Sequence, residues 1–181
     1  MTWLEYFKRW ASKYEREVDA YGYEPEKLIR PFVPLMGKRK ICVDVGCGTG
    51  RSMKALMGIC EKVIGVEPVE KMARRAEGKG FAVVRLRGEE IGKMNVRADL
   101  VTFFASIDYM QVEKVAKGIR RILAKNGFVF LTVEPENEGR IVKAFKREGF
   151  EIVKRIEKRA YEGQKYVCLL LKLRGAPLCS P

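Results

Sequence analysis

The sequence predicts an α/β protein built on an open, mostly parallel sheet, and three observations carry that expectation. A short apolar run ends in a glycine-rich turn at residues 41–50, a second apolar run ends in an acid at Glu67, and apolar runs alternate with helical patterns along much of the remaining chain. Strands are expected near residues 40–45, 61–66, 80–86, 98–104, 127–134, 150–157 and 165–173. Residues 2–20 and 25–36 carry helical patterns, with Pro31 and Pro34 disturbing the second. Helices fill the gaps between strands, and the clearest runs over 110–125. There Val112, Val115, Ala116, Ile119, Ile122 and Leu123 form one apolar stripe opposite Lys114, Lys117, Arg121 and Lys125. The last two strands are joined only by residues 160–164, with Gly163 inside the connection. So short a link implies a hairpin, and hence an antiparallel edge on the sheet.

A chain of 181 residues suits one domain, and no shift of composition or Gly/Ser/Pro-rich linker divides it. Residues 1–16 alternate charges with aromatics and lack the apolar core of a secretory signal, and apolar runs such as residues 167–171 fall far short of the ~20 residues that span a bilayer. A soluble, cytoplasmic protein is expected. Cys42, Cys47, Cys60, Cys168 and Cys179 include no Cys-x-x-Cys pair, and the chain has no histidine, so no zinc site is expected and the thiols read as small apolar residues. Abundant Lys, Arg and Glu match proteins from very hot environments. The net charge of +13 permits an RNA partner, but the basic residues are spread along the chain as solvated faces usually are.

The stretch Val43-Asp44-Val45-Gly46-Cys47-Gly48-Thr49-Gly50 reads as a buried strand ending in a turn that offers backbone N–H groups to a ligand. Glycine suits a sharp reversal where a ligand approaches the main chain. A dinucleotide fits poorly. Its fingerprint needs a third small residue where this chain has Arg51, and the Asp44 carboxylate repels phosphates. The same carboxylate attracts a ligand carrying an ammonium and a sulfonium, as S-adenosylmethionine does. Glu67 stands 21 residues beyond Gly46 at the carboxyl end of the next strand, where an acid accepts ribose hydroxyls.

These residues resemble the class I (Rossmann-like) S-adenosylmethionine-dependent methyltransferases, in particular the small members labelled type 11, over about residues 14–173. Residues 88–91 are similar to the family's third motif, with Glu89 or its neighbour Glu90 as the acid facing adenine, although Glu89 also fits a solvated loop. Residues 98–105 look like the fourth motif, and residues 126–133 like the fifth strand, with Asn-Gly in place of the usual Pro-Gly turn. Asp99 reads as a strand-entry residue. The resemblance implies a doubly wound, seven-stranded sheet of order 3-2-1-4-5-7-6. It also implies cofactor contacts at Asp44, Gly46, Cys47, Gly48, Glu67, Pro68, Glu89, Glu90 and Phe104. In similar enzymes an N-terminal segment folds over the cofactor, so residues 1–36 are expected to form a helical lid on a core of residues 37–181. That lid would bring Tyr14 and Tyr21 to the methionine carboxylate. The aromatics Trp3, Tyr6, Phe7, Trp10 and Tyr14 recur at helical spacing, which equally fits plain packing of an amphipathic helix.

Methyl transfer from a sulfonium needs positioning and exclusion of water more than a dedicated base. Without histidine, a base would be a carboxylate, tyrosine or lysine, and Asp108 and Tyr109 at the substrate rim are the candidates; Asp108 also fits a helix N-cap. The fourth motif reads Phe103-Phe104-Ala105-Ser106, unlike the motifs of nucleobase amino-group and cytosine-C5 methylases. The expectation is a methyltransferase acting on an O, N or S nucleophile of a small molecule. The alternatives are RNA or protein methylation, or a module that binds the cofactor without turnover; a nicotinamide-dependent oxidoreductase is disfavoured by Arg51 and Asp44.

Overall fold

Thr2 starts the first helix, its Oγ1 accepting the Glu5 N–H at 3.3 Å while Glu5 Oε2 accepts the Thr2 N–H at 2.8 Å. A computed structural model describes residues 2–161 and 163–176 of the chain, so Cys179 lies outside the described residues. Where one helix is expected over 2–20, there are two, α1 (Trp3–Trp10) and α2 (Tyr14–Tyr21). Ala11 at the break is fully buried, and its carbonyl accepts the Arg75 guanidinium at 2.7 Å, a tertiary bond in place of a helical one. Gly22 ends α2 with a left-handed φ of 68°. Pro31 and Pro34 divide the next stretch into α3 (Pro25–Ile29), a 3-10 turn (Arg30–Phe32) and α4 (Val33–Met36).

The core then alternates: β1 (Arg39–Val45), α5 (Arg51–Leu56), β2 (Cys60–Val66), α6 (Glu70–Gly78), β3 (Ala82–Val84), β4 (Ala98–Phe103), α7 (Val112–Ile122), β5 (Leu123–Val133), α8 (Glu138–Arg147), β6 (Phe150–Tyr161) and β7 (Gln164–Leu173). The seven strands form one sheet in the order β3-β2-β1-β4-β5-β7-β6, the order expected. The first five run parallel, with Val43 level with Ile64 and Val101, and Val101 level with Val129. β7 runs antiparallel between β5 and β6, closing the edge hairpin.

Side chains alternate across this sheet and both faces are covered. Val43, Val45, Val101, Phe103, Val129 and Leu131 pack on the face of α7 and α8. Cys42, Leu100, Phe128, Phe130 and Leu170 pack on the other face against Leu28, Ile29, Phe32, Met36 and Leu56. Residues 25–36, grouped with the lid by sequence, are therefore built into the core. Three boundaries also differ from expectation, one of them the end of β6, which runs on to Tyr161 where 157 is expected. α7 ends at Ile122, and Leu123 is extended and already pairs with Ala98; Leu123 continues the apolar stripe of the helix yet is buried as a strand residue, so its polarity could not mark the switch. β3 covers only three residues at the sheet edge, where Ala82 and Val84 are exposed and burial does little to hold a longer strand. Asp99 Oδ2 accepts the Ile41 N–H at 2.9 Å, a strand-entry bond as its position suggested. Among the described residues no group of acids and cysteines could hold a metal, and no helix is long and apolar enough to cross a membrane.

Candidate functional site

The turn after β1 uses three left-handed glycines, Gly46 (φ 73°), Gly48 (φ 55°) and Gly50 (φ 87°), a conformation that side chains disfavour. A Cβ on Gly46 would lie 2.5 Å from the Ser106 Cβ, so the ends of β1 and β4 meet only because this residue has none. The N–H groups of Gly46 and Cys47 both bond the Val66 carbonyl, at 2.8 and 3.2 Å, which ties the turn to the end of β2.

Glu67 follows β2 and completes that tie. Its Oε2 accepts the Gly48 N–H at 3.0 Å and its Oε1 the Val69 N–H at 2.7 Å. Burial raises the affinity of this carboxyl for protons, and the two N–H donors oppose the shift. Asp44 lies deeper. It is fully buried, bonded by the hydroxyls of Ser52 at 2.5 Å and Thr102 at 2.7 Å, and desolvation pushes its pKa up to about 6 despite those bonds.

Above the carboxyl ends of the strands lies a cavity of about 1140 Å3, its open mouth included, which the N-terminal segment helps to line. Trp3, Phe7 and Trp10 of α1 and Tyr14, Val18 and Tyr21 of α2 contribute to its wall. Phe7 meets Tyr109 edge to face across 5.3 Å, and Trp10 meets Tyr14 in the same way across 4.9 Å. The Tyr14 hydroxyl stands 3.7 Å from where a Gly48 Cβ would be, and burial pushes its pKa up to about 12. Arg51 pairs with Asp19, and Lys79 with Glu15, holding α2 to the core.

Of the residues singled out in the sequence, Tyr14, Tyr21, Gly46, Gly48, Glu67 and Pro68 line this cavity, as do Phe104, Asp108 and Tyr109. Asp44 and Cys47 do not. Asp44 sits beneath the turn, and the Cys47 thiol is buried so close to Gly65 that a Cβ there would be 2.5 Å from its sulfur. Glu89 and Glu90 also lie outside. Glu89 Oε1 accepts the Gln111 N–H at 3.0 Å just before α7, and Glu90 pairs with Lys93 at 2.6 Å. The two acids belong to a separate groove with Lys114, Lys117 and Arg121, and it is Gly88 that reaches the cavity. Asp108 does not cap α7, whose N-cap is Gln111; it lies in a 3-10 turn (Ile107–Tyr109), and its Oδ1 accepts the Glu134 N–H at 3.3 Å.

Several lining residues were not singled out: Met110, Tyr166 and above all Glu134. Glu134 is the first residue past β5, and the rule that ligands bind beyond the carboxyl ends of parallel strands would have found it. Tyr166 could not be found that way, because it lies near the start of an antiparallel strand. Ala105, also in the wall, holds φ at 50°, and its N–H donates to Thr132 Oγ1 at 2.7 Å. The charged residues in the wall are Glu67, Asp108 and Glu134; among the described residues no Lys or Arg lines it, although the chain has 36 of them.

Comparison with known proteins agrees with this geometry. Residues 43–131 match the family model described as "Methyltransferase domain". The chain is 27% identical over 129 residues to the probable S-adenosylmethionine-dependent methyltransferase CRG1 of Saccharomyces cerevisiae, covering 60% of this chain and 44% of that protein. It is 25% identical over 141 residues to an uncharacterized methyltransferase of Geobacillus sp., covering 75% and 57%. The chain thus spans about half the length of these curated relatives. Its fold matches a TehB-like SAM-dependent methyltransferase from Corynebacterium glutamicum with a TM-score of 0.75 at 17% identity, covering 94% of this chain and 100% of that one. The N-methyltransferase NodS from Bradyrhizobium japonicum, solved with S-adenosyl-L-homocysteine, matches with a TM-score of 0.72 at 13% identity, covering 87% and 91%.

Proposed function

We propose that this chain is a class I S-adenosylmethionine-dependent methyltransferase that moves a methyl group to an O, N or S nucleophile of a small molecule. One observation carries the reading: the glycine turn and Glu67 converge at the sheet's switch point on a cavity whose charged wall residues are all carboxylates. The fit to the cofactor rests on this chemistry. A ligand with a sulfonium and an ammonium meets favourable charge there, whereas a pyrophosphate meets three acids and no cation.

Gly46 and Gly48 would hold the methionine part against the bare backbone, Glu67 and Pro68 the ribose, and Gly88 the neighbourhood of the base. Asp44 would act from below through its charge. When bound, the sulfonium supplies an electrophilic methyl: the acceptor's lone pair forms the new bond, and the carbon–sulfur electron pair stays on sulfur as a neutral thioether. The chain's own part is to orient the acceptor and exclude water. The N-terminal aromatics support this, since Trp3, Phe7 and Trp10 of α1 and Tyr14 and Tyr21 of α2 contribute to the wall, where they would serve as a lid.

The acidic wall favours a small acceptor over a phosphate-bearing one such as RNA, even though the chain as a whole is basic. Buried free thiols at Cys42, Cys47, Cys60 and Cys168 and the Lys- and Glu-rich composition support a cytoplasmic protein of a hot environment. Calorimetric titration with S-adenosylmethionine and S-adenosylhomocysteine, paired with thermal melts, tests the reading. Saturable heat and a raised melting temperature are expected, and silence in both refutes it. A steep fall of RNA affinity with salt, alongside methylation of that RNA, would instead assign a nucleic-acid acceptor.

A further inference from the structure

The cavity changes character across the switch point. On the side of β1 and β2 it offers the glycine turn and Glu67. On the side of β4 and β5 it offers two more carboxylates, Asp108 and Glu134, among the rings of Phe104, Tyr109 and Tyr166. These two acids are half-buried and tied together through the Glu134 N–H. Burial raises the proton affinity of both, and the charge of Asp108 raises that of Glu134 further. Around them stand Asn137, whose amide donates to Glu134 Oε2 at 3.5 Å, the acid Glu136, and Arg140, whose guanidinium donates to the Asp108 carbonyl at 3.3 Å. Among the described residues, neither carboxylate has a Lys or Arg side chain in a salt bridge.

Two like charges held together at the wall of an aromatic cavity, with no cation lining it, are costly when empty. A cation between them removes that cost, and aromatic faces add to its attraction. We propose that this half of the cavity selects a methyl acceptor that is an amine, taken up as its ammonium ion between Asp108, Glu134 and the surrounding rings. The proposal rests on the methyltransferase reading and deepens it by naming the acceptor's class. The ammonium gives one proton to the carboxylate pair, which frees the nitrogen lone pair as the nucleophile, and that proton passes to solvent when product leaves. Neutral alcohols gain less from the acids, and carboxylates or phosphates are repelled.

The test uses the full chain saturated with S-adenosylhomocysteine and titrated by calorimetry with three probes of matched shape: 2-phenylethylamine, 2-phenylethanol and phenylacetate. The amine is expected to bind tighter than the alcohol by about tenfold or more, as charge-assisted hydrogen bonds allow, with the acid weakest. The double variant Asp108→Asn, Glu134→Gln is expected to lose that preference while keeping its affinity for S-adenosylhomocysteine, which also reports that it folds. Equal binding of the three probes, preference for the acid, no binding by any of them, or a preference that survives in the folded double variant overturns the proposal. So does a double variant that melts as wild type does but no longer binds S-adenosylhomocysteine, because the acids would then serve the cofactor. If the variant does not fold, the wild-type panel decides alone. Failure of the wild-type protein to bind S-adenosylhomocysteine would instead strike the methyltransferase reading.

Discussion

Glu67 accepts the backbone N–H of Gly48 at 3.0 Å, so the acid at the end of β2 braces the turn at the end of β1 while its side chain faces the cavity. The same carboxylate thus shapes the turn and is presented to the ligand. Glu67→Ala is expected to lower affinity for S-adenosylhomocysteine by about 1–3 kcal/mol, the worth of charged hydrogen bonds, and to lower the melting temperature as well. Wild-type affinity in this variant, measured by calorimetry, would remove Glu67 from the site.

Asp44 gives a pH dependence whose sign follows from its burial. Its pKa of about 6 lies above the ordinary carboxyl value of 3.8, so the native state keeps this proton to higher pH than the unfolded chain does. The contribution of Asp44 to stability is therefore greatest below pH ~4 and declines by about 3 kcal/mol as pH rises through 6. Asp44→Asn should gain stability relative to wild type over that interval in denaturant titrations. A cationic ligand prefers the ionised acid, so affinity for S-adenosylmethionine should rise through the same interval, with Glu67 adding a change of the same sign. The part due to Asp44 should vanish in the Asn variant, and an unchanged pH profile there would exclude the effect.

Gly46 and Gly48 differ in what a side chain would meet. At Gly46 an added Cβ collides with Ser106 in a left-handed backbone, whereas at Gly48 the nearest atom is the Tyr14 hydroxyl at 3.7 Å and only the backbone strain applies. Gly46→Ala is expected to destabilise by about 2–4 kcal/mol and Gly48→Ala by about 1–2 kcal/mol. Chemical denaturation of both variants checks the order, and a Gly46 variant as stable as wild type would mean that β1 and β4 do not meet as described.

The two N-terminal helices should separate on deletion. α1 has no buried residue, while the segment that follows places Val18 and Tyr23 in the core. A chain starting at Ala11, which keeps that buried residue and its bond to Arg75, is therefore expected to melt within a few degrees of wild type yet bind S-adenosylhomocysteine more weakly. A chain starting at Glu24 should lose stability as well, by about 2–4 kcal/mol for two core side chains. Unchanged affinity in the shorter deletion would dismiss α1 as part of the lid.

The strands of the sheet, the glycine turn and the acids Asp44 and Glu67 could be read from the chain alone, because these depend on periods and spacings within about 25 residues of chain. Strand alternation marks buried faces locally, and a left-handed turn needs glycine wherever it occurs. What the acids do depends on contacts between distant segments. Asp44 went under the turn and Glu67 into the wall, although both stand at the carboxyl end of a buried strand, because hydroxyls from α5 and β4 claim one and backbone N–H groups claim the other. Only the pairing of β4 with β5 brings Asp108 to Glu134, 26 positions away, and no local pattern records which strands will be neighbours.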